Sequence, residues 1–358
     1  EMVDDLADES FMNYDHPKVN IFKNVERLSA GELARRFAQP PLEVVNGWSM
    51  KRVVLARAGE DKQMARAEPL WPAPPPGSVM AAVKWFIAVE ILGLLAVPVV
   101  FVLFHCLEDR GVVSMAKLAG LLLAAFPAWL MPSLRLAPFS RGLCFASVLA
   151  LASVGGVLYW RHWAAMVQFV RRRWKTLVIG EAVFVFVFLF FLVCRAYTAE
   201  IYWGEKPMDF SFLNAITRGR FFPPAEPWMS GKTLNYFYYG HYLVSFLSKL
   251  TALPTYYTFN LAIGLFPALV GAVVFGLVHS MTRSKLWGVA GVVAVLFVAS
   301  IAGLFELCWG RYRTLNFDYF WATSRVLPNR FNNMPIAGTI NEYPLWTYLF
   351  ADLHAHMM

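Results

Sequence analysis

Long apolar runs dominate the chain after residue 80, and each run is about as long as a helix needs to cross a lipid bilayer. Charged residues are rare inside these runs and gather between them, which favours membrane-spanning helices over the core helices of a soluble protein. Spans are predicted at 83–104, 113–131, 144–160, 176–194, 257–280 and 286–308. The pattern therefore predicts an all-α polytopic membrane protein.

A further apolar stretch, 236–253, is harder to assign because it contains a histidine and a lysine and is followed by Pro254. It can be a span or a helix lying at the membrane surface, and the second alternative is favoured. Two long segments rich in polar and aromatic residues, 195–235 and 309–345, are too long to be simple connections. Functional residues are expected in these two segments.

The first 79 residues differ from the rest, with 10 basic and 12 acidic residues at the density of a soluble protein. Short strand and helix patterns within 1–79 predict a small α/β segment outside the membrane, ending in a proline-rich linker. Residues 80–175 are predicted to form three transmembrane helices that lead into a membrane domain at 176–358. Because the chain opens on Glu1 and closes on an apolar run, we expect it to be a fragment of a longer protein.

Composition supports a membrane protein, since 58% of residues are hydrophobic, 16% are charged and the mean hydropathy is +0.48. These values exclude a disordered chain and an ordinary soluble domain. The net charge of +8 comes from the loops after residue 79, where anionic lipid explains basic residues better than nucleic acid does. The lipid bilayer is therefore an expected partner, and nucleic acid is not. The four cysteines are widely spaced, which predicts neither a disulfide framework nor a zinc site.

The basic residues also predict an orientation. The densest cluster lies between the third and fourth predicted spans and consists of Arg161, Arg171, Arg172, Arg173 and Lys175. Basic loops stay on the cytoplasmic side of a membrane. The segment 195–235 is therefore predicted to be extracytoplasmic.

Two carboxylates, Glu205 and Asp209, form the first candidate site. Pro207 suits the first turn of a helix and apolar residues follow at helical spacing, so a short amphipathic helix with both carboxylates at its N-terminus is predicted. Such groups can act as a general base or bind a divalent ion. Alternatively, Asp209 only caps the helix dipole and Glu205 is solvated.

An aromatic cluster supplies the second candidate, because Tyr236, Tyr238 and Tyr239 stand just before His241. The tyrosines can form a wall that stacks on sugar rings or holds an isoprenoid chain, with His241 near a phosphate. Aromatic side chains also form belts at membrane interfaces without any such role. Both interpretations stay open at the level of the sequence.

The third candidate is the C-terminal group of Asp352, His354 and His356. Carboxylate and imidazole can bind a metal ion or act as acid and base. In an extended segment the three side chains share one face, whereas in a helix they spread apart. Lys206 and Arg218 are further candidates for holding a phosphate.

Three carboxylates lie within the predicted spans, where ionisable groups indicate function by default. Glu181 and Glu306 lie near enough to the ends of their spans to be solvated. Glu90 lies well inside the first span, so its functional and structural interpretations are more evenly balanced.

Five short sequence islands together resemble the YYY-domain family, polytopic membrane proteins of bacteria and archaea named for a triple tyrosine. The islands are Glu205-Lys-Pro-Met-Asp-Phe, Leu213-Asn-Ala-Ile, Pro223-Pro with Pro227-Trp, Asn235-Tyr-Phe-Tyr-Tyr-Gly, and Glu342-Tyr-Pro with Asp352-Leu-His-Ala-His. They occur in order over residues 180–358. Phe237 interrupts the tyrosines, which keeps the stacking surface and removes one hydroxyl.

The YYY family resembles in turn the GT-C glycosyltransferases, so the resemblance implies an incomplete GT-C-like helical bundle in a prokaryotic plasma membrane. It implies transfer of a sugar from a polyprenyl-phosphate donor to an acceptor outside the cytoplasm. Asp209 would be the base, with Glu205 as second choice, and the tyrosines would line the sugar or prenyl site. His354, His356 or a bound Mg²⁺ or Mn²⁺ would neutralise the departing phosphate. The stretch 8–22 is similar to a connector in longer members, which implies an upstream glycosyltransferase-like half.

Two other function classes fit the same sequence. One is a transporter or flippase of a lipid-linked or polar solute, with Glu90 and Glu181 as coupling groups. Such proteins are built from internal repeats with broken helices, and no convincing repeat is found. The other is a non-catalytic membrane protein that binds a lipid in the same pocket.

Overall fold

The structure is a computed structural model, and it describes residues 77–229, 231–298, 301–309, 314–325, 329–331, 334–336 and 342–358. The predicted α/β segment at 1–79 lies outside these residues, apart from the beginning of the first helix at its end. The described residues are mostly helical, and they confirm the all-α polytopic class.

The described chain forms helices joined mostly by short connections. They are α1 (Ser78–Leu103), α2 (Ala116–Ser133), α3 (Arg141–Tyr197), α4 (Lys206–Arg218), α5 (Tyr239–Thr251), α6 (Thr255–Thr282), α7 (Lys285–Val292), α8 (Ile301–Trp309), α9 (Phe317–Thr323) and α10 (Pro344–Phe350). A π-helical segment, Val293–Val298, continues α7. Two short antiparallel strands, β1 (Asn329–Phe331) and β2 (Met334–Ile336), lie between α9 and α10.

Four of the described helices are long and apolar enough to cross a membrane, namely α1, α2, α3 and α6. A fifth span results if α7 with its π-helical continuation is counted together with α8, from which it differs in direction by 77°. The predicted spans 83–104, 113–131 and 257–280 correspond to α1, α2 and α6. The predicted span 286–308 corresponds to the bent pair.

The ambiguous stretch 236–253 forms the 13-residue helix α5. At 1.5 Å per residue this helix is about 20 Å long. The hydrocarbon core of a bilayer is about 30 Å thick, so α5 is too short to cross it alone. Eight consecutive residues of α5, 241–248, are buried against the rest of the protein.

The largest departure from the sequence prediction is α3, which runs for 57 residues through the two predicted spans 144–160 and 176–194. The prediction of a loop between them is wrong. The connecting residues 161–175 contain neither glycine nor proline, and most of them have good helix propensity, so the helix continues through them.

Contacts with α1 show that α3 bends back on itself. A Cβ atom at Gly155 would lie 2.5 Å from the carbonyl oxygen of Leu95, and the Phe184 ring lies 6.2 Å from that of Phe86. In a straight helix residues 155 and 184 would be about 44 Å apart, whereas their contact points on α1 are only about 14 Å apart along its axis. Both arms of α3 therefore pack on α1.

Both ends of α3 lie where α6 begins. Arg141, at its start, donates to the carbonyl oxygen of Lys249 just before α6 (2.9 Å). Arg195, near its end, donates to the side-chain oxygen of Asn260 within the first turns of α6 (2.7 Å). Because α4 follows directly after α3, this end of the protein is called the α4 end.

The middle of α3 lies at the opposite end, where α6 finishes. Arg173 pairs with Glu108 (2.7 Å), and the backbone N–H of Glu108 donates to the Ser280 hydroxyl near the end of α6 (3.0 Å). Arg283, just after α6, approaches the same carboxylate (3.8 Å). The basic cluster of the sequence analysis lies here, so this end is called the basic end.

Candidate functional site

The first candidate carboxylates lie at the start of α4, as the sequence predicts. Pro207 stands in the first turn, Glu205 precedes the helix and Asp209 follows within the first turn. Burial of Phe212 and Ile216 fixes one face of α4 against the protein. Asp209 lies on this buried face, so it points into the protein rather than into solvent.

Asp209 lies between two imidazoles and is completely buried. One carboxylate oxygen is 3.3 Å from Nε2 of His241, and the other is 3.1 Å from Nδ1 of His354. Neither oxygen makes a well-aligned hydrogen bond, although both lie within 3.3 Å of an imidazole nitrogen. Burial alone raises the pKa of Asp209, but the two imidazoles outweigh burial and hold this pKa below its ordinary value. Asp209 therefore does more than cap a helix.

His354 connects the buried carboxylate to an accessible one. Its Nε2 atom is 3.1 Å from a carboxylate oxygen of Glu205 and 3.8 Å from one of Asp352. The side chain of Glu205 is 33% exposed and that of His354 is 16% exposed, against 0% for Asp209. Burial lowers the pKa of His354, but the neighbouring carboxylates, Asp209 first among them, raise it to about 9. His354 therefore carries a positive charge at neutral pH. The series Asp209–His354–Glu205 is called the carboxylate–imidazole row.

A buried ion pair fastens this row to the C-terminal segment. Lys206 is fully buried, with its ammonium 2.8 Å from Asp352 and 3.7 Å from the centre of the Trp203 ring. The second oxygen of Asp352 accepts the backbone N–H of Glu205 (3.1 Å). Burial lowers the pKa of Lys206 and raises that of Asp352, and each charge partly offsets the shift of the other. The sequence predicted that Lys206 would hold a phosphate, but its charge faces Asp352 instead.

Glu342 is a site residue that the sequence analysis missed as a candidate. Its carboxylate lies 3.2 Å from Nε2 of His356. Burial raises the pKa of Glu342, but the interaction with His356 is stronger and lowers this pKa below its ordinary value. The ring of His356 is 5.5 Å from the ring of His354, so this pair borders the row. The signal was present, because Glu342 opens the Glu-Tyr-Pro island of the family resemblance.

The predicted metal ligands do not converge on one point. Asp352 faces Lys206 and His356 faces Glu342, leaving only His354 near Asp352. Among the residues that the structure describes, no group of three or more His, Cys, Asp or Glu side chains could hold a metal ion. In the described part of the chain, Asp352, His354 and His356 are therefore not arranged around one point, and the Mg²⁺ or Mn²⁺ of the sequence analysis stays a prediction.

The three predicted tyrosines line one cavity beside the row. Tyr236, Tyr238 and Tyr239 border an apolar space of about 690 Å³, together with Trp129, whose indole N–H donates to the Tyr238 hydroxyl (3.3 Å). It is also lined by leucine side chains of α2, by phenylalanine, leucine and valine side chains of α6, and by Met357 and Met358 of the C-terminal segment. The ring of Tyr236 lies 6.4 Å from that of His241, which places this tyrosine between the cavity and Asp209.

Charges of the row reach the cavity wall. Burial raises the pKa of Tyr236, and the negative charges of Asp209 and Glu205 raise it further.

His241 was predicted to lie near a phosphate, but it is fully buried against Asp209. Arg218 is exposed at the far end of α4, about 18 Å along the helix from Lys206. The structure thus does not bring Arg218 to the site.

A family comparison agrees with a polytopic membrane protein. A search of curated proteins and a search of solved structures found no match to this chain. The model of one family, described as "Uncharacterized membrane protein (DUF2298)", matches residues 123–358, which is more than half of the chain. The match includes the row, the buried ion pair and the tyrosines of the cavity. The chain therefore belongs to the DUF2298 family of membrane proteins.

Proposed function

We propose that this protein is a membrane glycosyltransferase that moves a sugar from a polyprenyl-phosphate-linked donor to an acceptor on the extracytoplasmic side. The observation that carries the proposal is the carboxylate–imidazole row, which lies beside an apolar, tyrosine-lined cavity at the end of the membrane helices. A lipid-linked sugar presents these two chemistries together, an apolar chain next to a polar reacting centre.

The exposures assign the roles within the row. Glu205 is the accessible carboxylate, so it takes the proton of the acceptor hydroxyl. Asp209 is fully buried, and its negative charge keeps His354 protonated. This assignment reverses the order expected from the sequence, in which Asp209 was the first choice of base.

The reaction is a direct displacement at the anomeric carbon. The acceptor oxygen forms a bond to this carbon, the bond from the carbon to the phosphate oxygen breaks, and the acceptor proton passes to Glu205. The lipid phosphate leaves as an anion, and the imidazolium of His354 stabilises its charge.

The cavity suits the apolar part of the donor. Its volume of about 690 Å³ and its leucine, valine and phenylalanine walls fit several isoprene units. Tyr236, Tyr238 and Tyr239 stand at the end next to the row, where ring faces can stack on a sugar. A donor bound in this way keeps its chain among the membrane helices and its sugar at the carboxylates.

The positions of the two ends support the proposed orientation. The row lies at the α4 end, whereas Arg173 and its neighbours lie at the basic end. Basic residues remain on the cytoplasmic side of membranes. This separation favours an extracytoplasmic row, while a prokaryotic plasma membrane is what the resemblance to the YYY-domain family implies. An upstream glycosyltransferase-like half in the full-length chain stays a prediction.

The test is a transfer assay with the full-length protein in lipid and radiolabelled polyprenyl-phosphate sugars. Wild type is expected to transfer label, and Glu205→Gln should lose at least about 100-fold, the range of general-base catalysis. Asp209→Asn should also lose activity, because it removes the negative charge that keeps His354 protonated. Glu200→Gln, on an exposed residue outside the row, is the matched control and should keep full activity.

Two outcomes would refute the proposal. Undiminished transfer by Glu205→Gln would remove the row from the reaction. Absence of transfer with every donor, while polyprenyl phosphate still binds, would favour the non-catalytic lipid-binding alternative.

A further inference from the structure

A second set of charges lies inside the membrane helices, remote from the carboxylate–imidazole row. Glu90 is the thirteenth of the 26 residues of α1, so it lies at the middle of that span. Lys117 of α2 places its ammonium 3.4 Å from Glu90 and 2.6 Å from Glu181 of α3. These three residues, called the membrane triad, join three different helices.

The packing around Lys117 holds its ammonium in place. Gly93 of α1 leaves room for the lysine stem, since a Cβ atom there would lie 2.9 Å from Cγ of Lys117. The ammonium also lies 4.5 Å from the centre of the Phe184 ring. Lys117 is 5% exposed, so its charge is directed entirely at the two carboxylates and the ring.

The membrane triad has one more negative than positive group when all three side chains are ionised. Uncompensated charge at the middle of a membrane is costly. The shorter contact belongs to Glu181, whereas the Oε1 atom of Glu90 is buried and has no hydrogen-bond partner. A proton on Glu90 removes the excess charge.

A cavity lies against the membrane triad. It has a volume of about 270 Å³ and is lined by all three charged side chains. Val112 and Val113 also line it, and they belong to the segment between α1 and α2 that contains Glu108 of the basic end. The cavity therefore extends from the connection at the basic end toward the middle of α1.

We propose that the membrane triad is a proton-binding site, in which Glu90 takes up one proton from water that enters the cavity at the basic end. Lys117 and Glu181 are the other charged side chains that line the cavity. Proton uptake converts the carboxylate of Glu90 to a neutral carboxyl group and involves no other bond. The site is independent of the proposed sugar transfer.

The test is infrared difference spectroscopy of the full chain in lipid nanodiscs during a pH titration. Wild type is expected to show the C=O band of one protonated carboxyl group that titrates, and Glu90→Gln to lose this band. In Glu181→Gln, Glu90 pairs with Lys117 alone, so the titration midpoint should move to lower pH. Glu200→Gln, on an exposed residue, is the control and should leave the band unchanged.

Three results would overturn the proposal. The first is a titrating band that persists in Glu90→Gln, and the second is a wild-type protein without any protonated carboxyl band over its folded pH range. The third is loss of the band when Na⁺ replaces choline at constant pH, which would make a metal cation the ligand. If Glu90→Gln does not fold, as judged by circular dichroism, the midpoint shift of Glu181→Gln decides.

Discussion

The ion pair of Lys206 and Asp352 gives the sharpest prediction about how the candidate site is held together. Their side chains are 0% and 3% exposed, and the ammonium also faces the rings of Trp203 and Phe350. Lys206→Met keeps the length of the stem and its ring contacts but removes the charge. Asp352→Leu removes the opposite charge and also the acceptor for the backbone N–H of Glu205.

Each single substitution leaves a buried charge without its partner. Breaking one side of a buried pair costs about 3–5 kcal/mol, whereas replacing both sides by apolar groups is often close to neutral. The double variant of Lys206 and Asp352 still loses the acceptor for one backbone N–H, which costs about 1–3 kcal/mol. We therefore expect the double variant to lose less unfolding free energy than the two single variants lose together. The difference, which is the coupling free energy of the pair, should be several kcal/mol.

The assay is a double-mutant cycle on the free energy of unfolding in lipid–detergent micelles, followed by the near-ultraviolet signal of Trp203 and its neighbours. Hydrogen exchange at the start of α4 gives a local readout of the same loss. Additive losses, or single variants within about 1 kcal/mol of wild type, would contradict this prediction. They would show that water solvates the remaining charge and that the ion pair does not hold the row in place.

The remaining predictions concern pH and packing. Neighbouring carboxylates raise the pKa of His354 from 6.5 to about 9. Its protonated imidazole therefore contributes its full stabilisation below pH 6.5, and this contribution is lost as the pH rises to about 9. The unfolding free energy of wild type should fall over this interval, and that of His354→Gln should not. Gly155→Ala should destabilise the protein, because the added Cβ atom would clash with the carbonyl oxygen of Leu95. Gly156 has open space around it, so Gly156→Ala should increase the stability by up to about 1 kcal/mol. Thermal unfolding measures both effects. Arg195→Lys should speed hydrogen exchange in the segment after α3, because an ammonium cannot reproduce the forked contacts of the buried guanidinium with two carbonyl oxygens and one amide.

Hydropathy identified the spans but not the course of α3. Apolar length alone located α1, α2 and α6, because crossing a bilayer requires about 20 apolar residues. The basic residues at 161–175 resemble a loop in any hydropathy profile, yet their backbone has no reason to leave the helix. Charged residues indicate that a segment is exposed to water, but only glycine and proline indicate that a helix ends. The segment 161–175 contains many charged residues and neither glycine nor proline, so its charge was mistaken for a loop.

In the candidate site too, the sequence identified part of the structure and not the rest. The sequence supplied Glu205, Asp209 and His354 as separate candidates, but their pairing depends on contacts that join residues about 150 positions apart. The sequence also did not indicate which of the two carboxylates is buried, and the roles proposed for Glu205 and Asp209 depend on that difference. Arg218 was a candidate because of its charge alone, and the structure places it at the other end of α4 from Glu205 and Asp209.

The second arm of α3 connects the two charged sites. Glu181 of the membrane triad lies on this arm, and Arg195, near its end, binds the carbonyl oxygens of Thr198 and Glu200 in the segment that leads to Glu205. The residues from 182 to 194 contain no glycine or proline, so about 21 Å of regular helix separates the sites. The two charged sites therefore share one arm of α3, and Arg195 at the end of this arm holds the backbone that leads to Glu205.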